Sequence, residues 1–265
     1  MKSYQTFVEA AKTFAVDAAR LANSSRKRHF SVSSKSSVND MVTNVDKETE
    51  TYLVERISRE FPNDTIIAEE GGHRTGTSGI SWVIDPIDGT TNFIYDFPSC
   101  TVSIGVRDND TTVAGAVCDV MQGDIYWAGV GIGSFKNADP IHVRDGVLIE
   151  NSLIGTGFGY SSARRIAQAE FLASIIGDVR DIRRTGAASL DLCYVAEGRL
   201  DGYYEVGLWP WDFTAAALIV TEAGGFVLGP KGTTPSGELT VAASTMELAS
   251  FLRAKVVPHL PLADA

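Results

Sequence analysis

The 265-residue sequence has little that suits redox, zinc or nucleophilic side-chain chemistry. Its three cysteines, Cys100, Cys118 and Cys193, stand at unrelated spacings with no Cys-x-x-Cys pair. That excludes a zinc ribbon or a thioredoxin-like couple and leaves small buried hydrophobes as the plain reading. The four histidines, His29, His73, His142 and His259, are scattered, so a Ser-His-Asp or Cys-His mechanism finds no support. Walker A, His-Glu-x-x-His and Gly-x-Ser-x-Gly patterns are absent. Gly129, Gly131 and Gly133 read as a glycine turn, not as a dinucleotide fingerprint opening a helix. Basic charge is also scarce: 23 Lys and Arg stand against 33 Asp and Glu, a formal net charge of −10, and the largest basic run is Arg26-Lys27-Arg28. A nucleic-acid partner needs a basic stripe, so none is expected. No uncharged apolar run approaches the roughly 18 residues of a membrane span, so no membrane partner is expected either. Glu9, Lys12, Asp17 and Arg20 break up any secretory h-region, and a cytoplasmic protein is expected.

What is present is ordinary globular material, 44% hydrophobic and 21% charged. Neither a repeat nor a Pro- or Ser-rich linker divides it. The chain reads as one unit over 1–265, with halves at about 1–145 and 146–265. Phe7, Ala10, Ala11, Phe14, Ala18 and Leu21 share one face of a helix over residues 4–28. A polar loop over 29–39 and a helix over 46–61, stopped by Pro62, follow. Short strands are expected at 65–68 and 81–84, separated by a glycine-rich loop, then a meander at 100–107, 112–119 and 124–128. The second half alternates: strands at 152–156, 180–184 and 201–205 each precede a helix, at 162–177, 187–197 and 212–223. Strands near 226–228 and 240–243 and a helix over 245–257 complete the chain. Such a pattern suggests layers of helix and sheet.

The carboxylates carry the chemistry. Glu69 and Glu70 end one strand, Asp85 and Asp88 flank Pro86-Ile87 at the end of the next, and Asp212 starts a helix. Taken singly, these are a solvated strand end, an Asp-Gly turn and a helix N-cap. Taken together, neighbouring strands would bring several negative groups side by side, which is unfavourable without a counter-charge. Hard divalent cations with oxygen ligands resolve this, and Mg²⁺ suits carboxylates, water and a substrate phosphate. Three-residue spacing lets Asp85, Asp88 and the Ile87 carbonyl converge. Gly89 allows close backbone approach, and Thr90-Thr91 begin a segment whose free N–H groups suit a phosphate.

The segment Trp82-Val83-Ile84-Asp85-Pro86-Ile87-Asp88-Gly89-Thr90-Thr91-Asn92-Phe93 resembles the signature of the inositol monophosphatase family. Trp211-Asp212-Phe213-Thr214-Ala215-Ala216-Ala217, through Thr221-Glu222-Ala223-Gly224-Gly225, resembles its second signature. Asp40-Met41-Val42-Thr43 with Asp46, and Ala68-Glu69-Glu70, fit upstream. The resemblance implies an α+β fold, a layered αβαβα sandwich, and a Mg²⁺-dependent, Li⁺-sensitive phosphatase that forms a homodimer and takes a small phosphate ester. It further implies that Glu69, Asp85 and the Ile87 carbonyl hold one Mg²⁺, and that Asp85, Asp88 and Asp212 hold another. A third ion would sit on Glu69, with Asp46 reaching it through water. Thr90, paired with Glu69, would orient the attacking water. The Gly89 and Thr90 amides and Lys35 would contact the phosphate. Asp88, Gly186, Ala187, Ala188, Glu205 and Asp212 would contact the alcohol.

Departures from the family pattern fall at Tyr95-Asp96, Ala187 and Trp209-Pro210. They leave the alcohol open: inositol 1-phosphate or another polyol monophosphate, or else fructose 1,6-bisphosphate, histidinol phosphate, 3′-phosphoadenosine phosphate or NADP. A protein-interaction module that keeps the fold is the reading from another class. Two Mg²⁺ ions would cancel the four carboxylates Glu69, Asp85, Asp88 and Asp212, so the acidic composition favours metal rather than excluding a phosphate.

Overall fold

A computed structural model describes residues 4–26, 30–34, 41–232 and 234–260. Helix α1 (Gln5–Arg26) is followed by the antiparallel pair β1 (Val32–Ser34) and β2 (Met41–Thr43) and by helix α2 (Asn44–Glu60). One sheet then takes seven strands in chain order: β3 (Thr65–Ala68), β4 (Ile80–Asp88), β5 (Thr101–Asp108), β6 (Thr111–Asp119), β7 (Ile125–Gly129), β8 (Gly133–Lys136) and β9 (Asp139–Pro140). Only β3 and β4 run parallel. Helix α3 (Thr90–Ile94) lies between β4 and β5.

The second half contains β10 (Leu153–Thr156), α4 (Ser162–Ile175), β11 (Asp181–Arg183), α5 (Ala188–Ala196), β12 (Gly202–Glu205), α6 (Pro210–Glu222), β13 (Phe226–Leu228), β14 (Thr240–Ala243) and α7 (Met246–Val256). Its five strands are ordered β11-β10-β12-β14-β13. β10 runs parallel to both neighbours, and β14 antiparallel to both of its own.

Strand alternation builds the layers. On β5, Val102, Ile104 and Val106 pack with Val8, Ala11 and Phe14 of α1 and Leu53 and Ile57 of α2. The alternate residues face α6: Ser103 Oγ donates to the Trp211 carbonyl at 3.1 Å, and Arg107 donates to Thr214 Oγ1 at 2.7 Å. Glycine lets that helix come close. A Cβ on Gly115 would lie 2.6 Å from the Ala215 carbonyl oxygen, so no larger residue fits there. Between the sheets, Val117, Tyr126 and Ala128 meet Leu190, Leu192, Phe213, Ala216 and Tyr203. Beyond the second sheet, Ile154, Tyr204 and Val241 pack against Phe171 of α4 and Leu248 and Leu252 of α7. Helices, sheet, helices, sheet, helices is the layered sandwich expected.

Local readings change at four places, the first being the polar loop expected over 29–39, where Val32–Ser34 form β1. The strand expected at 81–84 runs from Ile80 to Asp88, so Asp85-Pro86-Ile87-Asp88 lies inside it. Pro86 is tolerated because the pairing with β5 shifts register between Asp85 and Asp88. The glycines at 129–133 join β7 to β8, and β8 and β9 extend the meander beyond the three strands expected. The face of α1 is rotated slightly, with Val8, Ala15 and Ala22 buried and Leu21 only half-buried.

Candidate functional site

Asp85 and Asp88 sit on the inner end of β4, both buried. Asp85 Oδ1 accepts from the Ile87 amide at 2.9 Å, a bond local to the bulge, and Asp85 shares a hydrogen bond with Glu69, which directly follows parallel β3. The sharp turn after Asp88 needs Gly89, whose φ of 87° lies in the left-handed region. A Cβ there would also lie 2.8 Å from the Ser99 carbonyl oxygen and 3.2 Å from Ala187 Cβ.

The loop before α5 thus rests on the β4–α3 turn. Asp88 reaches across to it: Oδ2 accepts from the Ser189 amide at 2.7 Å and the Ser189 hydroxyl at 2.6 Å, and Oδ1 from the Ala188 amide at 3.3 Å. This supplies the orphan amides of α5, whose N-cap Ala187 has no side-chain acceptor. Asn92 of α3 binds the same loop, donating to the Thr185 carbonyl at 2.8 Å and to the Ser99 carbonyl at 2.7 Å.

Asp212 is the third residue of α6. Its Oδ2 accepts from the Trp209 amide at 2.7 Å, while Pro210 occupies the first turn, where no N–H is needed. Asp46 is the third residue of α2 and belongs to a capping box with Thr43, accepting from the Thr43 amide at 2.9 Å and its hydroxyl at 2.5 Å. The other oxygen, Oδ1, accepts from Thr90 Oγ1 at 3.0 Å, and the same hydroxyl lies 3.1 Å from the Ile87 carbonyl. The acceptor for Thr90 is therefore Asp46, where Glu69 had been expected. The cap motif of α2 leaves one Asp46 oxygen aimed at α3, which no local spacing reveals.

Electrostatics tie these groups together. Burial pushes the Asp85 carboxyl well above its usual range, and the charges of Glu69, Asp88 and Asp212 push it further. Burial likewise raises Asp212 well above its usual range, with Asp88 adding to it and the Trp209 amide opposing. Asp88 is raised by burial against the Ser189 and Ala188 hydrogen bonds and the charge of Arg184. Burial lifts Glu205 to about 7, opposed by the Tyr203 hydroxyl, which donates to Glu205 Oε2, and by Arg184. Glu205 lies against Gly157.

Among the described residues, no three Asp, Glu, His or Cys side chains are already arranged as a closed metal cage. The carboxylates are held instead by amides and hydroxyls. The donor set still fits a hard divalent ion: it is all oxygen, Asp85 and Asp88 are buried, and the charges of neighbouring carboxylates push Asp85 and Asp212 up.

Of the residues singled out in the sequence, Glu69, Asp85, Ile87, Asp88, Gly89, Thr90 and Asp46 meet on one side, with Gly186, Ala187, Ala188, Glu205 and Asp212 opposite. Lys35 lies outside the described residues. Tyr95 is exposed, and Asp96 pairs with Arg26 at the end of α1. Two contributors emerge only in three dimensions. Glu50 on α2 accepts from the Glu70 amide at 2.6 Å and the Gly72 amide at 2.8 Å, fixing the turn that carries Glu69. Exposed Arg184 lies over Gly186 and reaches Asp88, Asp191 and Glu205 through its charge.

Comparison with known proteins agrees with this architecture. The model of the inositol monophosphatase family matches residues 3–260. Inositol-1-monophosphatase SuhB of Mycobacterium tuberculosis is 41% identical, with 92% of this chain and 91% of that protein covered. The Nus factor SuhB of Haemophilus influenzae is 42% identical over 78% of each chain. The solved structure of Mycobacterium tuberculosis SuhB superposes with a TM-score of 0.84 at 38% identity, covering 99% of this chain and 100% of that one. Within the described residues no helix is long and apolar enough to cross a membrane. By sequence and by fold alike, the chain belongs to the inositol monophosphatase family.

Proposed function

We propose that this chain is a Mg²⁺-dependent phosphomonoesterase, and that its substrate is myo-inositol 1-phosphate or a similar polyol monophosphate. The observation that carries the reading is that Asp85, Asp88, Asp212 and Glu69 come close enough for their charges to raise the Asp85 and Asp212 carboxyls. Glu69, Asp85, the Ile87 carbonyl, Asp88 and Asp212 would hold the ions, two or three in number. Bound there, they supply a lowered pKa for water and stabilisation of the leaving oxygen. The remaining work belongs to the protein. Asp46 Oδ1 takes the Thr90 hydroxyl proton in a hydrogen bond, which leaves a lone pair on Thr90 Oγ1 to receive and aim the attacking water. The Gly89 and Thr90 amides, with Lys35, receive phosphate oxygens. Gly186, Ala187 and Ala188 line the alcohol, and Glu205 accepts its hydroxyls. We further read the working form as a cytoplasmic homodimer.

Asp88→Asn tests the reading, since it is isosteric and removes a charge; its oxygen keeps the Ser189 bonds of the α5 cap, and its NH₂ replaces the 3.3 Å acceptor of the Ala188 amide at a cost of about 1–2 kcal/mol. Phosphate release should fall at least about 10³-fold, roughly 4 kcal/mol of barrier, with the circular dichroism spectrum retained. Near-parental release by that variant would refute the assignment. Rates on inositol 1-phosphate, fructose 1,6-bisphosphate, histidinol phosphate, 3′-phosphoadenosine phosphate and NADP then rank the alcohol. Millimolar Li⁺ should inhibit. A second reading, binding to a protein partner, is favoured by the Nus factor name of the Haemophilus relative. A partner retained by Asp88→Asn, with no hydrolysis by the parent, would support it.

A further inference from the structure

The end of β5, the start of β6, one face of α6 and strand β13 border a cleft of about 220 Å³ that contains none of the residues of the carboxylate cluster. Among the described residues that line it, Arg107 is the only cation and Asp110 the only anion. Arg107 makes a hydrogen bond to the neutral Thr214 hydroxyl at 2.7 Å, and its Nε–H is buried with no acceptor. Burial pulls this guanidinium below its usual range, and only the charge of Asp110 opposes that. A cationic N–H kept from water and left unpaired costs free energy, so the position favours an acceptor. In a chain with 33 acidic and 23 basic residues, a cation held short of a partner is the less expected arrangement.

The rest of the lining says what such an acceptor would be attached to. It divides between threonines, Thr112 and Thr221, and apolar side chains, Phe213, Leu218 and Val227. One guanidinium with an aspartate nearby answers a single negative charge, which favours a monoanion over a doubly charged phosphate. The volume lies below the roughly 300–1,000 Å³ of drug-sized pockets, so the body must be short. We propose that this cleft is a binding site for a small organic monocarboxylate, whose carboxylate takes the Arg107 Nε–H and whose apolar body lies on Phe213, Leu218 and Val227. The site needs no divalent metal and stands apart from the phosphatase reading.

The test titrates metal-free protein with benzoate and with benzamide, its uncharged isostere, by ligand-observed saturation-transfer NMR. Without divalent metal the carboxylate cluster repels anions, so it adds no benzoate binding of its own. Benzoate should bind the parent with a Kd on the order of 1 mM, the scale for about nine heavy atoms of modest efficiency. Benzamide should bind about 10-fold more weakly, through loss of a charge-assisted hydrogen bond. Arg107→Met keeps a packed stem and removes the cation, and should bring benzoate down to the level of benzamide. Ala217→Phe keeps Arg107 but fills the cleft from α6, and should weaken both compounds together. Circular dichroism checks each variant; should Arg107→Met fail to fold, Ala217→Phe and the benzamide comparison still decide. Benzoate that binds both variants like the parent, benzamide that binds as tightly as benzoate, or a parent that binds neither far above that Kd would overturn the proposal and leave Arg107 a brace for α6.

Discussion

One side of the carboxylate cluster comes from a single stretch of chain, Glu69 to Thr90, mounted on β3, β4 and α3. The facing side is assembled from the 184–189 loop, Glu205 and the Trp209–Asp212 turn, carried by two separate connections, β11–α5 and β12–α6. The first is backed by the aromatic cluster of Phe7, Phe14, Phe61 and Trp82, whose ring centroids lie 4.9–6.4 Å apart. The second rests on α5 and α6, whose buried residues are mostly aliphatic, and it ends in the exposed side chains Arg184 and Trp209. On the proposed reading, a side mounted on a packed core suits the step common to every substrate. A side of loops and helix ends suits recognition, because loops change without disturbing a core.

The largest expected effect breaks the first side from behind. Trp82 is fully buried, and its Nε1 donates to Asp64 Oδ2 at 2.9 Å. Trp82→Ala removes that packing and leaves Asp64 without this donor, so unfolding in urea should show a loss of about 3–5 kcal/mol. Trp209→Ala on the second side should leave unfolding nearly unchanged. Equal losses would erase the contrast.

The second side has its own weak point, and it depends on pH. Asp191 is buried in α5, accepts from Thr185 Oγ1 at 2.6 Å, and is pushed up to about 8 by burial against that bond, with Glu205 and Asp88 adding to the rise. An unfolded aspartate titrates near 3.8. Between these values the folded state binds the extra proton, so stability falls as pH rises from about 4 to about 8. Asp191→Asn mimics the protonated form and keeps an acceptor for Thr185. Without divalent metal it should match the parent near pH 4 and exceed it by a few kcal/mol by pH 8. A constant difference across that range would show that Asp191 is ionised throughout.

Most of the first side was singled out in the sequence because Asp85-Pro86-Ile87-Asp88-Gly89-Thr90 is contiguous, although the strand reaching Asp88 was not. Of the second, the carboxylate pattern singled out only Asp212, and the rest came through resemblance. Nothing near Arg184 or Glu205 marks them, since their shared surroundings arise from β11, β12 and α5 meeting across long separations. The Asp46–Thr90 bond was missed for the same reason, being 44 positions apart. It also invites a smaller test. Thr90→Val removes the hydroxyl from the buried Asp46 carboxylate and should lower kcat about 10²-fold with a modest loss of stability. Thr90→Ser should recover most of the rate. A Ser variant as slow as Val would mean that the methyl group, not the hydroxyl, matters.

The smallest effect concerns Glu50, which touches neither side's face yet shapes the first. Both its oxygens accept amides of the 70–72 turn, and a Cβ on Gly72 would lie 2.9 Å from Oε1. Glu50→Gln presents an NH₂ to one of those N–H donors, so one bond becomes a donor–donor contact at a cost of about 1–2 kcal/mol. The turn then holds Glu69 less firmly, while Asp85, Asp88 and Asp212 are untouched. Activity at saturating Mg²⁺ should stay close to the parental value, and the Mg²⁺ concentration needed for half of it should rise about 10-fold, the scale seen for partners that orient a ligand. Loss of stability with an unchanged Mg²⁺ requirement would mean that Glu50 serves the fold alone.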